Sequence, residues 1–384
     1  MKTQTCILSV LMSFAAVAAS EVNVLSFGAK ADGKTDCTAA FQRAIDALKP
    51  QGGKVIVPAG VYVTGELQLW AGVVVEGAGG FAFRGLPKGS TLKLLKGANT
   101  TAMFNLTGAT GATLRDLALL GDVDDLPKDA PTPSRTVHGV GLFNTSHGVD
   151  EGYPLVDHCL IRGFSGDGIH LHKGFCGNVR NCLILNNRGD GIRLDGWDFF
   201  IINNEINNNW GYGFHGVDPN NACTITANRI EWNRRGGLYL DRGSHYCINA
   251  NYFDRSGVAG VIFENVRFVT FTGNQIYRSA RPVWDDPKDP VSAHAVLRNC
   301  KGVTFSSNSL VIGRDDYASG EFSPRNGLVI ENLENCTILG NTAHAAFLEK
   351  FIVDRGGHTN LVCRDNMATP MKDVSEVFVV VPEK

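Results

Sequence analysis

Apolar residues recur along this 384-residue chain in a fixed register with asparagine. Apolar rows lie three and five residues before the asparagine and two residues after it. The two-residue offset between the rows at three and five is typical of a strand that buries one face. The asparagine series, with most steps of 23 to 25 residues and two of 33 and 34, is Asn181, Asn204, Asn228, Asn251, Asn274, Asn308, Asn341 and Asn366. A repeat of this length and regularity predicts a solenoid.

Each repeat has room for about three short strands and none for a helix. A second turn in each coil carries a glycine, and the row is Gly168, Gly191, Gly213, Gly237 and Gly260. The pattern predicts an all-β fold, a single parallel β-helix domain over residues 21–384, with equivalent strands of successive coils about 4.8 Å apart. The asparagines are then expected to stack amide on amide, and the alternative is a set of ordinary turn residues.

The two ends of a solenoid expose strand edges that need covering. Residues 35–48 predict an amphipathic helix at the N-terminal end, because Phe41, Ala44, Ile45 and Leu48 fall on one helical face. Thr35 or Asp36 is the expected N-cap of this helix. Residues 376–381 predict a last strand that covers the C-terminal end.

The first twenty residues have the pattern of a secretory signal peptide. Lys2 supplies the positive charge, residues 7–19 are apolar, and small residues at 18–20 suit signal peptidase. An apolar run of 13 residues is too short to span a bilayer, which takes about 20. The sequence therefore predicts a protein secreted to the extracellular space or periplasm, with no membrane span, and with Glu21 as the first mature residue. An uncleaved anchor is the alternative.

Charge and cysteine content exclude several classes of protein. Lys+Arg is 36 and Asp+Glu is 38, so the net charge of -2 argues against binding nucleic acid through a basic surface. Ten scattered cysteines do not form a disulfide framework or a metal-ligand spacing. We expect no metal and no organic cofactor, with calcium as the one ion left open. Four cysteines fall in apolar rows and predict core packing: Cys176, Cys223, Cys336 and Cys363.

The opening of the mature chain resembles that of the pectate-lyase/polygalacturonase superfamily. The resemblance rests on residues 23–36, on the amphipathic helix, and on the run Gly-Lys-Val-Ile-Val-Pro-Ala-Gly-Val-Tyr that ends at Tyr62. It implies a right-handed parallel β-helix with an N-terminal helix cap, secreted and acting on carbohydrate as a lyase, hydrolase or epimerase.

The catalytic motifs of polygalacturonases do not carry over to this chain. Gly-Asp-Gly occurs at residues 166–168 and 189–191, and Gly-Phe-His-Gly at 213–216, but no matching pair of aspartates lies between them. Asp218-Pro219 is followed by two asparagines where alginate epimerases have histidine and glutamate. The resemblance therefore predicts the fold and leaves the reaction open.

Three stretches lengthen the coils, at residues 121–136, 278–292 and 313–325, and they flank uninterrupted coils. They predict a trough whose floor is the third strand of about five coils, roughly 20–25 Å long at strand spacing. The outward residues of that strand fall in two rows: His170, Arg193, His215, Tyr239 and Ile262, then His172, Asp195, Val217, Asp241 and Glu264. Clustered titratable groups are typical of a functional site, and a solvated strand face is the alternative.

Catalysis by this floor has two candidate forms. Asp195 and Asp241 are the favoured acid pair, because two coils separate them by about 9–10 Å, near the spacing of an inverting glycosidase. Glu264 is a further acid, and His170 and His215 are candidates for proton transfer. If the substrate is a uronide, Arg193 instead offsets the carboxylate charge while a histidine or other base abstracts the C5 proton, as in a lyase.

Substrate binding is expected from neighbouring side chains of the same floor: His172, Arg193, Arg235, Tyr239, Trp197 and Trp210. Guanidinium groups suit carboxylates and sulfates, so five arginines predict an anionic sugar: Arg188, Arg193, Arg234, Arg235 and Arg255.

The predicted function is a secreted enzyme that cleaves or rearranges glycosidic linkages of a polysaccharide or oligosaccharide. A non-catalytic carbohydrate-binding or surface β-helix protein is the alternative. The predicted oligomeric state is a monomer or a homotrimer.

Overall fold

The computed structural model describes residues 20–124, 126, 131, 133–145, 152–280, 291–312 and 324–371. Residues 1–19 of the predicted signal peptide and the predicted last strand at 376–381 lie outside these ranges. Parts of the three predicted insertions also lie outside them. Within the described residues, no helix is long and apolar enough to cross a bilayer.

The described residues form 37 strands in three rows, and each strand pairs in parallel with its equivalent in the next coil. Each row is called a sheet below, although a pairing between β20 and β24 joins the first and third rows into one 24-stranded sheet. The first sheet contains β1 (Glu21–Asn23), β3 (Gly53–Ile56), β6 (Val73–Glu76), β9 (Thr113–Arg115), β12 (Leu155–Asp157), β15 (Asn178–Arg180), β18 (Phe200–Ile202), β21 (Thr224–Thr226), β24 (Ser244–Asn249), β27 (Arg267–Thr272), β30 (Thr304–Ser306), β33 (Thr337–Leu339) and β36 (Val362–Arg364).

The second sheet contains β2 (Asp32–Asp36), β4 (Gly60–Thr64), β7 (Ser90–Leu94), β10 (Ala118–Leu120), β13 (Leu160–Arg162), β16 (Leu183–Leu185), β19 (Glu205–Asn207), β22 (Arg229–Glu231), β25 (Tyr252–Asp254), β28 (Gln275–Tyr277), β31 (Ser309–Val311), β34 (Thr342–His344) and β37 (Met367–Ala368).

The third sheet contains β5 (Leu67–Gln68), β8 (Ala102–Asn105), β11 (His138–Phe143), β14 (Ile169–Phe175), β17 (Ile192–Trp197), β20 (Tyr212–Asn221), β23 (Gly236–Asp241), β26 (Ala259–Glu264), β29 (Ala293–Arg298), β32 (Asn326–Glu331) and β35 (Lys350–Asp354). The predicted parallel β-helix is thus confirmed.

The inward rows of the coils build one continuous core. Phe199, Ile225 and Phe271 are at most 1% exposed, as the register predicts. Phe271 stacks on Phe305 of the next coil with ring centroids 5.0 Å apart. Because burying one such side chain contributes about 1.5–3 kcal/mol, the repeated rows account for the stability of the stack.

The asparagine ladder forms, but it begins one coil later than predicted. From Asn204 to Asn366 each Nδ2 donates to the Oδ1 of the next coil at 2.9–3.2 Å. Asn181 is wrong as a member, because that coil has 22 residues and Cys182 takes the register position, donating its amide to Asn204 Oδ1. A second buried ladder, which the sequence analysis missed, joins Asn187, Asn209 and Asn233.

The described part of the chain has one α-helix, α1 (Thr38–Asp46), which lies beside the first coils, after a short 3₁₀ helix at Val24–Phe27. It buries Phe41, Ala44 and Ile45. Thr35 and Asp36 are both wrong as its N-cap, because both belong to β2 and Cys37 holds the N-cap position. Asp36 Oδ1 nevertheless accepts the Thr38 amide at 2.9 Å. That α1 covers the open end of the solenoid stays a prediction.

The cysteine prediction is right for two of the four residues. Cys223 and Cys336 are buried at 1% exposure, and burial raises the pKa of the Cys223 thiol to about 12. Cys176 is only half-buried. Cys363 is exposed because it lies in β36, the last strand of the first sheet, where the described residues place no further coil on it.

Candidate functional site

The outward face of the third sheet carries the predicted polar row. His170 of β14 lies opposite Arg193 of β17, which lies opposite His215 of β20 and then Tyr239 of β23. Their neighbours along each strand, such as Leu171 and Leu194, point into the core and are buried. Strand alternation therefore places the four side chains in one row at strand spacing, as the sequence predicts.

The residues that precede this row lie in the turns of successive coils, one above the other, and this turn column positions the side chains of the site. In three successive coils, an acceptor side chain takes the backbone amide of the equivalent residue one coil later. His138 Nδ1 accepts from the Asp167 amide at 2.9 Å, Asp167 Oδ1 from the Asp190 amide at 2.6 Å, and Asp190 Oδ1 from the Tyr212 amide at 2.7 Å. Each carboxylate keeps its second oxygen, Oδ2, for the side chains of the outward row.

The Asp190 cluster consists of Asp190, Arg193, Tyr212 and His215. Nδ1 of His215 donates to Asp190 Oδ2 at 2.7 Å. Arg193 Nη1 lies 3.2 Å from the same ring nitrogen and 3.5 Å from Asp190 Oδ2. Because Asp190 accepts from Nδ1, the lone pair of neutral His215 is on Nε2.

Two tyrosines flank His215. The ring centroids of Tyr212 and Tyr239 each lie 5.0 Å from the imidazole, and Tyr239 is stacked on it. Tyr239 donates its hydroxyl to Glu264 Oε2 at 2.9 Å, and Arg298 bonds the other Glu264 oxygen at 3.1 Å. Burial and then the Glu264 carboxylate raise the pKa of Tyr239, and burial raises the pKa of Tyr212 to about 12. Both phenols therefore stay protonated, and that of Tyr239 serves as a hydrogen-bond donor.

The Asp167 cluster, one coil earlier, consists of His138, Asp167 and His170. Nδ1 of His170 donates to Asp167 Oδ2 at 2.8 Å, and Nδ1 of His138 lies 3.3 Å from the same oxygen. Burial alone would raise the pKa of Asp167, but its interactions with His138 and His170 lower it below its usual range. The sequence analysis named His170 and missed His138 as a site residue.

The acid pair favoured by the sequence lies on the same face, and each acid has a cationic or donor partner. Asp195 accepts from His172 Nδ1 at 2.5 Å and from the amide of Lys173. Asp241 pairs with Arg242 at 2.8 Å and lies opposite Glu264 in the register. Their role as a catalytic pair stays a prediction.

Trp210 contacts two arginines of neighbouring coils. The Arg188 guanidinium of the preceding coil lies 3.6 Å from its ring centroid, and Arg234 of the following coil lies 3.5 Å from it. Arginines of the coils on either side thus lie over this ring, and a substrate contact through Trp210 stays a prediction. Arg255 likewise lies 4.7 Å from the centroid of Trp232 and pairs with Asp254 at 2.8 Å. Three of the five arginines are therefore engaged within turns.

The remaining predicted contacts lie at the edges of the floor. Arg235 is exposed and close enough to Tyr212 for its charge to lower the pKa of that phenol in part. Trp197 ends β17, half-buried, opposite Phe175 and Asn221.

The first of the two predicted polar rows is shorter than predicted, whereas the second continues from Asp241 through Glu264 and Arg298. After Tyr239 the first row continues as Ile262, Val296 and Val329, which are between 2% and 8% exposed. Ile262 is thus wrong as a solvent-facing floor residue, because it packs in an apolar cluster with its neighbours along the row. The polar row from His170 to Tyr239 spans four coils, about 15 Å at strand spacing.

Comparisons with known proteins agree with this fold. A family model described as "Right handed beta helix region" matches residues 144–218 and 216–369. A second, "Rhamnogalacturonase A/epimerase, pectate lyase-like", matches residues 21–121. The solved A-module of mannuronan C-5 epimerase AlgE4 from Azotobacter vinelandii superimposes with a TM-score of 0.66 at 20% identity, covering 91% of this chain and 100% of that chain.

Two curated proteins match over shorter stretches. Mannuronan C5-epimerase AlgE3 of Azotobacter vinelandii is 29% identical over 241 residues, which are 59% of this chain and 12% of that protein. Exo-poly-alpha-D-galacturonosidase of Dickeya chrysanthemi is 52% identical over 48 residues, 12% of this chain and 8% of that protein. The chain therefore spans only a small part of the length of these curated relatives.

Proposed function

The chain belongs to the right-handed β-helix family, and from that membership and the Asp190 cluster we propose a carbohydrate-active enzyme that acts on an anionic polysaccharide. The proposed reaction removes the C5 proton of a uronate residue. The observation that carries it is one imidazole, His215, held between an acid and a guanidinium on the outward face of the third sheet. The relatives, a mannuronan C5-epimerase and an exo-poly-alpha-D-galacturonosidase, support a uronate substrate.

His215 is the proposed base. Asp190 holds its Nδ1 proton at 2.7 Å, which orients the ring and leaves the Nε2 lone pair for the substrate. A buried carboxylate that accepts from imidazole also stabilises the imidazolium formed when the proton is taken. Asp190 is therefore a positioning residue, and His215 is the residue expected to touch the reacting carbon's proton.

Arg193 is the proposed partner of the uronate carboxylate. Its side chain is 36% exposed, while its Nη1 is within 3.5 Å of Asp190. A guanidinium presents several N–H groups in a planar fork, so one side can face Asp190 while another binds a carboxylate. Neutralising that carboxylate lowers the cost of the negative charge that develops when C5 loses its proton.

Tyr239 and Tyr212 are the proposed proton donors. When C5 loses its proton to His215, the electron pair passes into the C5–carboxylate system. In a lyase the C4–O bond then breaks, a C4–C5 double bond forms, and the leaving oxygen takes a proton from a tyrosine. In an epimerase the C4–O bond stays intact and C5 takes a proton on the opposite face. The raised pKa values keep both phenols protonated until the reaction, while burial makes each of them a weaker acid.

Glycoside hydrolysis by Asp195 and Asp241 is the second candidate. The observation that favours it is their placement on the same outward face, with side chains 15% and 20% exposed. Hydrolysis needs an acid and a base or nucleophile on either side of the bond. In this reading the carboxylates react and the Asp190 cluster only binds.

A panel of anionic and neutral polysaccharides tests both candidates. Absorbance at about 235 nm reports an unsaturated product of elimination, reducing ends report hydrolysis, and proton NMR reports epimerisation. The proposal expects turnover of uronate polymers alone, lost in His215→Ala, with the fold checked by circular dichroism. Turnover that survives His215→Ala and disappears in Asp195→Asn or Asp241→Asn would transfer the assignment to hydrolysis. Binding to a polysaccharide array with no product of any kind would favour the non-catalytic alternative.

Secretion is proposed from residues 1–20. N-terminal sequencing of the exported protein is expected to begin at Glu21, and an exported chain that retains Met1 would contradict cleavage. Calcium stays an open prediction, which turnover after chelation and after calcium addition tests.

A further inference from the structure

Among the residues that the structure describes, the Asp167 cluster is the one group in which three metal-ligating side chains converge. One ligating atom each of His138, Asp167 and His170 lies within 4.8 Å of the other two. The side chains of His138 and Asp167 are 11% and 10% exposed, and that of His170 is 21% exposed. The group is therefore largely shielded from water and is reached from the His170 side.

The hydrogen bonds at His138 leave two acceptors facing each other. Because the Asp167 amide can only donate, Nδ1 of His138 carries a lone pair rather than a proton. The same Nδ1 lies 3.3 Å from Oδ2 of Asp167, which is also an acceptor. Two acceptors at this distance repel each other unless a positive charge lies beside them. A histidine and a carboxylate that share a hydrogen bond would not need such a charge.

The surrounding glycines make room for this arrangement. A Cβ at Gly166 would lie 2.8 Å from His138 Nδ1, and a Cβ at Gly189 would lie 2.2 Å from Asp167 Oδ1. The Asp190 amide fixes that Oδ1 at 2.6 Å, so Oδ2 points at the two histidines. Outer contacts of this kind orient the ligands in metal sites.

We propose that the Asp167 cluster binds a divalent transition-metal ion of the Zn²⁺ class through one nitrogen each of His138 and His170 and one oxygen of Asp167. Two imidazoles and one carboxylate are a common ligand set for such ions, with water in the open position. If His170 ligates through Nδ1, its Nδ1 proton leaves and Nε2 takes a proton from solvent, so the imidazole stays neutral. If His138 binds the ion through Nδ1, the hydrogen bond from the Asp167 amide to that nitrogen is lost, because the same lone pair then binds the ion.

The equivalent place one coil later cannot bind a cation in this way. Asp190 has Arg193 where Asp167 has His170, since these two residues lie opposite each other in the register. A guanidinium keeps its charge at all working pH values and has no lone pair to give. The proposal is independent of the proposed function, because it concerns a different carboxylate and a binding readout.

Cobalt(II) serves as a spectroscopic probe of the full chain. The protein is stripped with a chelator and titrated with cobalt, and the visible absorption of low-coordinate cobalt bound to protein is recorded with the stoichiometry from elemental analysis. We expect one equivalent of bound cobalt with an intense visible band, and we expect the band to disappear when zinc displaces the cobalt. His170→Ala and Asp167→Asn are expected to lose the band. The control, His172→Ala, should keep it, because His172 pairs with Asp195 without a second histidine.

Two results would overturn the proposal. One is a wild-type spectrum at saturating cobalt that shows only the hydrated ion. The other is a band that persists in folded His170→Ala, which would place the ion elsewhere. If Asp167→Asn fails to fold, His170→Ala still decides, because His170 lies at the solvent edge of the cluster.

Discussion

The Asp167 and Asp190 clusters occupy equivalent places in neighbouring coils, yet they suit opposite charges. In both, a Gly-Asp-Gly turn presents a carboxylate whose Oδ1 accepts the amide of the next coil. The difference lies in the side chains on Oδ2. Two histidines meet Asp167, whereas Arg193 and His215 meet Asp190.

Two exchanges account for this difference. Arg193 stands where Asp167 has His170. The second histidine is His138 of the preceding turn in one cluster and His215 of the following coil's outward row in the other. Imidazole can lose its proton and ligate a cation, whereas guanidinium remains an obligate donor. The coil with arginine therefore attracts carboxylates, and the coil without it attracts cations. A repetitive scaffold can thus place two different chemistries about 5 Å apart without any change in backbone.

The largest expected effect comes from removing the base of the Asp190 cluster. His215→Ala is expected to lower turnover of a uronate polymer at least about 100-fold, because general acid–base catalysis contributes roughly 10²–10⁴-fold. Initial rates on the active polymer measure it. The control is His158→Ala, since His158 is exposed and pairs with Asp116 away from the third sheet. Rates within a few-fold of wild type in His215→Ala would show that the catalytic base lies outside this cluster.

Arg193→His tests the comparison directly, because it places a histidine at the position equivalent to His170, beside His215 and Asp190. Losing a charge-assisted bond to the substrate carboxylate costs about 1.5–3 kcal/mol, so turnover is expected to fall roughly 10- to 150-fold. The variant is also expected to bind a second equivalent of cobalt. Arg193→Lys, which keeps the charge but not the fork, should lose part of the turnover and gain no cobalt. A cobalt stoichiometry unchanged in Arg193→His would show that the neighbouring residue does not decide the charge preference.

Alanine in place of a single glycine can disturb one cluster and leave the other intact, because each aspartate is packed against its own glycine. A Cβ at Gly189 would lie 2.2 Å from Asp167 Oδ1, and a Cβ at Gly211 would lie 2.0 Å from Asp190 Oδ1. Each alanine variant is expected to lose about 1–3 kcal/mol of unfolding free energy, as for overpacking, measured by denaturant titration. Gly189→Ala should weaken cobalt binding and Gly211→Ala should lower turnover. The matched control is Gly65→Ala, whose Cβ would meet only ordinary contacts at 3.4 Å and beyond. Equal effects of both substitutions on both readouts would contradict the separation.

The register of the repeat predicts more of this molecule than any single residue does. The rows that end in Phe271 and Phe305, and the ladder from Asn204 onward, follow from spacing because stacked coils must repeat their inward side chains. Asn181 was misplaced because one coil is a residue shorter than its neighbours, and a period read from asparagine alone cannot show that.

The site was predicted less well, because its contacts run between coils. Arg188, Trp210 and Arg234 lie 22 and 24 residues apart, so aligning the turns as well as the strands would have placed them in one column. His138 was missed because the long coil that precedes His158 hides its register with Asp167. The alternation of the strand does not point to Tyr212 as a site residue, because Tyr212 belongs to the column of turn residues that precedes the outward row.

The smallest expected effect tests how far the anion preference of the Asp190 cluster extends into solvent. Arg235 is exposed and close to Tyr212, so it belongs to the rim of that cluster. An exposed charge contributes no more than about 1 kcal/mol and is screened by salt. Arg235→Ala is therefore expected to raise KM for a uronate polymer less than about fivefold at low ionic strength, with kcat unchanged. The difference should shrink as salt is added, because the Debye length falls to about 3 Å at 1 M. Arg364→Ala is the control, since Arg364 is an exposed arginine of the first sheet that pairs with Asp365. An effect of Arg235→Ala that persists in high salt, or that falls on kcat, would mean that Arg235 contacts the reacting sugar and that the anion site is larger than the Asp190 cluster.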